Sequence, residues 1–427
     1  MSSEPRRITS TIGIWAYART PSDHFGGVET YVLRIAQELM RRGATVVLHC
    51  LATSNAGWYV ENGEFAQGTL QYRTDTGMLV VVPENGPGPG GCLAENVLAA
   101  KAAREEVILA FGTRDGFVFS TAQHGARTLG IPLISFVYFT SEERSYRGQY
   151  ASRTRSIAGT ADESETRQLA EDSEAVIIRL VAESALVVVP TYYVRGQIQD
   201  LVGYDPHNVD VVYHGVDDSV VGRVGSGDRR GMLHISRLTL PFAAHKNFFW
   251  TLEFARHLNQ LGHLDQMTIV GDGGGKDMAE QFAEQNDLLS RVRFAGAVEP
   301  TDLSAMLGRA QVLLVPSMME AGSTTTVDAV MAGCLPIGAA AAALPELFEA
   351  LGLSQFLIET SERTRGRIRS IEPSLEHALE IVTTVAQEPA AVDAAMTNAQ
   401  RVARKRFGLH ATTTELLEKL WQKNLIR

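Results

Sequence analysis

Two cations stand where they can hold an anionic leaving group. Arg237 follows the apolar run Leu233-His-Ile-Ser236, and Lys246 lies in His245-Lys-Asn247 at the opening of a helical pattern. At the mouth of a parallel sheet such a pair suits a diphosphate, arginine by bidentate hydrogen bonds and lysine as a point charge. In the first half, Gly26-Gly27 precede another helical pattern. Backbone N–H groups there can approach an anion with no side chain in the way, and a helix dipole favours it by up to ~2 kcal/mol. The same pair also fits a plain turn, since it is neither a G-x-G-x-x-G fingerprint nor a Walker loop. A further Gly-rich turn ends the strand-like Ile269-Val-Gly-Asp-Gly-Gly-Gly275, and Val315-Pro-Ser-Met-Met-Glu-Ala-Gly-Ser323 leads into a helix carrying Asp328. Glu320 and Asp328, a little over two helical turns apart, can address different parts of an extended ligand. Paired carboxylates equally suit glycoside hydrolysis, which needs one of them held protonated, so both readings stay open.

These residues need strands to end beside them. Ile12-Gly-Ile-Trp15 reads as a strand, followed by a helix whose apolar face comes from positions 28, 32, 35 and 39 and which stops at Gly43. Thr45–Leu48, Met78–Val82, Phe117–Ser120, Pro132–Tyr138, Ala185–Val189 and Val209–Tyr213 are the next strand expectations. A polar stretch, Gly222-Arg-Val-Gly-Ser-Gly-Asp-Arg-Arg230, then reads as a linker. Beyond it the pattern restarts with Leu233–Ser236, Met267–Val270, Val292–Phe294, Val312–Val315 and Leu335–Ile337. Continuous apolar runs separated by helices predict parallel sheets covered on both faces, with ligands at the carboxyl ends of the strands. Segments 52–75, 83–95 and 141–175 fit no minimal α/β unit and read as loops or short helices, a solvated surface or a lid that recognises an acceptor.

Composition narrows the class. The 427 residues call for two or three domains, and the net charge of −10, with neither half basic, excludes a dedicated nucleic-acid surface and a strong electrostatic membrane anchor. No run approaches the roughly 18 apolar residues of a membrane span. Three scattered cysteines, Cys50, Cys92 and Cys334, support neither a disulfide framework nor a zinc site, and no Asp or His cluster suggests a metal. A reduced, cytoplasmic enzyme is expected.

In order and spacing the motifs resemble those of the retaining, GT-B-fold glycosyltransferases of family 4. The likeness runs through Gly26-Gly27-Val-Glu29, Val212-Tyr-His-Gly-Val-Asp217, Ser236-Arg-Leu238, Lys246-Asn247, Ile269–Gly273, Val292-Arg-Phe-Ala-Gly-Ala-Val298, Leu314-Val-Pro-Ser317, Glu320, Asp328 and Arg404-Lys-Arg-Phe407. It implies two doubly wound Rossmann-like domains facing across a cleft. Residues 1–218, with a closing helix at about 408–427 that crosses back, would bind the acceptor, and residues 228–407 the nucleotide-sugar donor. Gly26 and Gly27 would face the donor diphosphate; Arg237 and Lys246 would stabilise it as it leaves. Gly271 and Val298 would frame the nucleotide, Glu320 the sugar hydroxyls, Gly322, Ser323 and Thr324 the sugar and phosphate, and Asp328 the ribose. His124, in Thr121-Ala-Gln-His-Gly125 after an expected strand, would match a first-domain histidine beside the sugar. Neither cofactor nor metal is implied beyond the nucleotide-diphosphate sugar as co-substrate. A soluble small molecule is the expected acceptor, and homodimerisation stays open.

This sequence departs from the family pattern around the sugar. Asp328 stands where glutamate is usual, Ala321-Gly-Ser323 where Gly-Phe-Gly is usual, and Ala342-Ala-Leu-Pro-Glu346 where a Gly-Gly-x-Pro-Glu is usual. Tyr138 takes the place of a strand-end histidine. A nucleotide-sugar epimerase or hydrolase on the same fold, and an inactive sugar-nucleotide-binding partner subunit, are the alternatives these departures leave.

Overall fold

Along the first strand Ile12, Ile14 and Ala16 face one way, Gly13 and Trp15 the other, and every side chain after Thr11 is buried. Period-two alternation with both faces apolar is the mark of a strand covered on both sides. The computed structural model describes residues 7–16, 27–51, 70–73, 77–82, 93–111, 117–138, 174–217, 229–238, 245–365 and 368–427. They fall into two compact units. The first takes the described residues within Met1–Thr140 and Asp172–Val216 together with Gly408–Arg427; the second takes those within Asp217–Phe407.

The first unit carries one eight-stranded sheet. Its strands are β1 (Thr11–Ala16), β2 (Thr45–Cys50), β3 (Leu70–Arg73), β4 (Leu79–Val82), β5 (Val107–Phe111), β6 (Leu133–Phe136), β7 (Leu186–Val189) and β8 (Val209–Val211), in the order β3-β4-β2-β1-β5-β6-β7-β8. All pairings are parallel except β3 with β4. Helix Gly27–Arg41 lays Tyr31, Val32, Ile35, Ala36 and Leu39 on the β1 face carrying Ile12 and Ile14. The closing helix, Leu409–Gln422, adds Leu416, Leu417 and Leu420 to the same core. A charged clamp fixes it there. Arg42 donates to the His410 carbonyl at 2.6 Å, to Thr414 Oγ1 at 2.8 Å and to Glu38 Oε1 at 2.9 Å. Gly215 permits the close approach, because a Cβ there would lie 2.3 Å from Thr412 Oγ1 and 2.8 Å from the Leu409 Cα.

The opposite face of β1 holds a buried polar network. The Trp15 indole donates to Glu105 Oε2 at 3.3 Å, and His49, directly across the ladder from Trp15, reaches Glu105 Oε1 at 2.5 Å and Asn96 Oδ1 at 2.6 Å. Gly13 makes room for that carboxylate, since a Cβ would meet it at 1.9 Å.

The second unit restarts the pattern with β9 (Met232–Ile235), β10 (Met267–Val270), β11 (Val292–Gly296), β12 (Val312–Val315), β13 (Leu335–Ala339) and β14 (Leu357–Ile358), ordered β11-β10-β9-β12-β13-β14 and parallel throughout. An antiparallel hairpin, β15 (Thr360–Arg365) with β16 (Ile368–Pro373), follows. Helix Thr324–Ala332 ends at Gly333, whose φ of 82° is left-handed, and the Arg229 guanidinium donates to the carbonyls of Ala332 and Gly333 there. A cation on the last carbonyls of a helix complements its dipole. Arg229 is therefore a capping residue and not loose linker; residues 218–228 lie outside the described set.

Three expectations need correction. Phe117–Ser120 is the first turn of a helix, Phe117–Leu129, not a strand. Val118, Thr121, Ala122, Gly125 and Ala126 are buried at helical spacing, and the aromatic and β-branched opening masked that period. The strand that belongs beside β1 is β5, Val107–Phe111, a short apolar run directly after Arg104-Glu-Glu106 that the strand expectations passed over. Finally, β3 lies inside the segment read as loop, where Leu70–Arg73 pairs with β4.

Candidate functional site

In the second sheet the chain leaves β9 on one side and arrives at β12 on the other, so these neighbouring strands form a switch point at which their carboxyl ends diverge. Crevices of this kind are where open α/β sheets bind ligands. Arg237 stands just past β9, exposed, and Glu320 just past β12, 9% exposed. Lys246 joins them: its Nζ donates to Glu320 Oε1 at 2.5 Å, and the backbone N–H of Met318 donates to the His245 carbonyl at 2.8 Å. The lysine is 27% exposed at its side chain and the glutamate 9%, so this is a half-buried ion pair.

Neighbouring turns are tied into the same edge. Gly271, past β10, donates to the Gly296 carbonyl at 2.8 Å, while Leu238 donates to the Asp272 carbonyl at 3.0 Å and Gly275 back to the Leu238 carbonyl at 2.8 Å. Gly271 has φ +132°, and a Cβ on it would sit 1.7 Å from the Ser236 carbonyl oxygen, which is why only glycine serves there. Val298 follows β11, half-buried. Gly322 and Ser323 lead into helix Thr324–Ala332, whose first N–H groups lack intrahelical partners. The Ser323 and Thr326 hydroxyls hydrogen-bond each other at 2.8 Å, and Asp328 sits half-buried in the helix's second turn. Nine expected site residues of this unit (Arg237, Lys246, Gly271, Val298, Glu320, Gly322, Ser323, Thr324 and Asp328) thus lie along one sheet edge or the helix that rises from it.

Two supports carried no obvious sequence signal. His234, 1% exposed in mid-β9, has Nδ1 at 3.3 Å from both the Leu314 carbonyl and Thr251 Oγ1. Burial pushes its pKa down to about 4, and the charge of Lys246 acts in the same direction, so a neutral ring lies under the cation. Past β13, Ala343 donates its N–H to the Glu320 carbonyl at 3.1 Å. The preceding Ala342 has φ +50°, a left-handed conformation that costs an L-residue roughly 1–2 kcal/mol.

The first unit has its own switch point, between β1 and β5. Gly27 is the first residue of the helix that follows β1; Gly26 lies outside the described residues. His124 does not follow a strand. It sits exposed on helix Phe117–Leu129, and its neighbour Gly125 faces the Trp15 ring. The strand-end placement that singled it out is therefore corrected. Among the described residues, His214 stands at the carboxyl edge, 4.7 Å from the Tyr31 ring and 4.8 Å from the Tyr138 ring, with burial pushing its pKa down to about 3. Among the described residues no helix is long and apolar enough to cross a membrane.

Comparison with known proteins agrees with this geometry. The family described as Glycosyltransferase Family 4 matches residues 25–220, and that described as Glycosyl transferases group 1 matches residues 232–378. D-inositol 3-phosphate glycosyltransferase of Mycobacterium bovis is 24% identical over 363 residues, 81% of this chain and 70% of that protein. Glycogen synthase of Mycobacterium tuberculosis is 25% identical over 168 residues, 39% of this chain, and the match spans only 40% of its length. Among solved structures, Anabaena HepE in complex with UDP superposes with a TM-score of 0.66 at 17% identity, covering 97% of this chain and 100% of that one. Sucrose-phosphate synthase from Thermosynechococcus elongatus gives 0.68 at 13%, covering 97% and 98%. At such identities these structures speak for the fold alone.

Proposed function

We propose, for a chain that belongs to glycosyltransferase family 4, that it moves a hexose from a nucleoside-diphosphate donor to a small acceptor, with retention at the anomeric carbon. One observation carries the reading. Arg237 and the Lys246–Glu320 pair flank the second sheet's switch point, two cations and a carboxylate on an edge already shaped by glycine turns and a helix start. Anabaena HepE, alike in fold, has been crystallised with UDP and with UDP-glucose, and on that precedent the proposal takes UDP as the nucleotide. The relative acting on D-inositol 3-phosphate supports a small polar acceptor.

In this reading the acceptor hydroxyl attacks the anomeric carbon as the bond to the β-phosphate oxygen breaks, and that phosphate takes the acceptor's proton. Arg237 and Lys246 stand against the negative charge that grows on the leaving diphosphate, the role a metal has elsewhere, so no metal is part of the proposal. When the diphosphate arrives, Lys246 gains an anionic partner. Glu320 is then released to accept hydrogen bonds from the sugar, while the N–H groups at Gly322–Thr324 meet phosphate or sugar oxygens. Asp328, a methylene shorter than glutamate, reaches the ribose. Catalysis of this kind rests on positioning and charge, without a covalent enzyme nucleophile. A reduced, cytoplasmic setting fits the buried free thiols of Cys50 and Cys334.

Calorimetric titration with UDP, GDP and dTDP, on wild type and Arg237→Ala, tests the reading. UDP should bind preferentially and the substitution should weaken it. Removing one electrostatic stabiliser of this kind typically costs ~2.7–4 kcal/mol, so transfer should fall roughly 100- to 1000-fold. Binding of none of the three would overturn the function while leaving the fold intact.

A further inference from the structure

We infer that Asn247 aims Lys246: by holding a left-handed backbone at the start of the next helix, it keeps the lysine ammonium on Glu320 at the edge where the diphosphate is proposed to sit. It is a positioning residue, acting through the lysine rather than on the ligand. Its bearing on donor binding rests on the site proposed above.

Lys246 and Asn247 form a two-residue turn whose flanks are both pinned. Upstream, the His245 carbonyl accepts the N–H of Met318 at 2.8 Å, which ties the chain to the segment past β12 that carries Glu320. Downstream, helix Phe248–Gln260 buries Phe248, Thr251 and Leu252, and the Thr251 N–H donates to the Asn247 carbonyl at 3.2 Å. Thr251 is fixed in its turn, with its hydroxyl 3.3 Å from Nδ1 of His234 in β9. Two residues must therefore carry the chain from one anchor to the other, and Asn247 does so with φ +55° and ψ +41°. Those dihedrals lie in the left-handed region, which asparagine tolerates better than most residues with a Cβ and where a β-branched residue is an outlier. A helix start ordinarily uses asparagine in another way, with extended backbone and the side-chain oxygen capping an N–H. Asn247 makes no such cap, and its Nδ2 is buried without a hydrogen-bond partner among the described residues. The amide nitrogen contributes no contact, so what the position draws on is the backbone conformation. Were that conformation lost, either the His245 anchor or the helix would have to shift. Each shift swings Lys246 Nζ away from Glu320 Oε1, which it meets at 2.5 Å.

The test titrates UDP by calorimetry into wild type, Asn247→Gly, Asn247→Ala and Asn247→Val, each also in the Lys246→Met background, and unfolds every variant in urea. Glycine takes the left-handed backbone freely, so Asn247→Gly should bind UDP as wild type does. Asn247→Val should bind roughly 5- to 30-fold more weakly, the factor that matches the usual penalty for an L-residue held left-handed. Asn247→Ala should fall between them, and it keeps the test readable where the valine variant does not fold. In the Lys246→Met background none of the three substitutions should change UDP affinity further. A glycine variant as weak as the valine one overturns the inference, because the amide would then be what acts. Equal weakening by valine with and without Lys246 also overturns it, since the site would be loosened and the lysine not misdirected. A valine variant that binds like wild type does the same. Should wild type bind no UDP, the donor reading fails on its own and urea still decides this inference. Valine strands the Glu320 carboxylate only where Lys246 is present, so it should destabilise wild type more than Lys246→Met; equal losses in urea overturn the inference.

Discussion

Replacing Lys246 by methionine separates what the Lys246–Glu320 pair does for the fold from what it does for transfer. The substitution keeps an unbranched side chain of similar reach and removes the charge, leaving the Glu320 carboxylate, 9% exposed, without its counter-ion. A fully buried pair broken from one side costs about 3–5 kcal/mol, an exposed one about 0–1. With the lysine 27% exposed, the expected loss lies between these limits, about 1–3 kcal/mol, read by chemical denaturation. Adding Glu320→Gln removes the stranded charge, so the double variant should recover at least half of that stability. Turnover should behave differently. Lys246→Met should lose roughly 100- to 1000-fold in transfer rate, as for other groups aimed at a developing anion, and the double variant should stay as slow or become slower. Two results would refute this reasoning. Strictly additive stabilities, within about 0.5 kcal/mol, would mean the pair is not coupled. Recovery of turnover together with stability would mean that Lys246 acts only as a structural partner of Glu320.

Two further outcomes follow from the described geometry. Gly271→Ala should cost more than about 2 kcal/mol and abolish nucleotide binding, because its Cβ at φ +132° would lie 1.7 Å from the Ser236 carbonyl; a variant as stable as wild type in urea contradicts the turn as drawn. Burial alone would raise the pKa of Glu38, yet hydrogen bonds and charge from Arg42, with His410 and Arg41, outweigh it and hold the carboxyl below its ordinary value of 4.5. A depressed folded-state pKa stabilises fully above the unfolded value and is lost as pH falls through the folded one. The acid limb of unfolding below about pH 4.5 should therefore be shallower in Glu38→Gln than in wild type, and identical limbs would dismiss the clamp.

Residue types alone made β9 to β13 of the second unit readable, because most of them are short apolar runs and three lead to a residue with a chemical signature, Arg237, Gly271 and Glu320; β14 and the β15–β16 hairpin were not anticipated. Glycines at positive φ also announce themselves, as Gly271 does. Less legible were features that depend on what packs against what. The helix at Phe117–Leu129 opens on Phe-Val-Phe, which looks like a strand until Trp15 is seen against Gly125. His49 and Glu105 lie far apart in sequence and meet only through the β2–β1 ladder and the start of β5. Likewise Ala342 reads as one alanine in a run of five, and its backbone conformation is set by hydrogen bonds to Glu320 and Ala341 on either side.

The helix Leu409–Gln422 belongs to the first unit although the whole second unit precedes it in the chain. During synthesis, Leu416, Leu417, Leu420 and Ile426 emerge only after the second unit, so the first unit waits with part of its core uncovered while nearly two hundred residues are made. Its final contacts close a very long loop: the backbone N–H of Arg427 donates to Ser10 Oγ at 2.8 Å, and Thr9 donates to the Arg427 carbonyl at 3.3 Å. Such closure adds only slowly to the entropic cost but delays completion, leaving an exposed apolar surface in the interval. A cut after Val216 consequently does not yield two independent pieces. The upstream piece lacks its last helix, and the downstream piece carries a helix whose apolar face has lost its core.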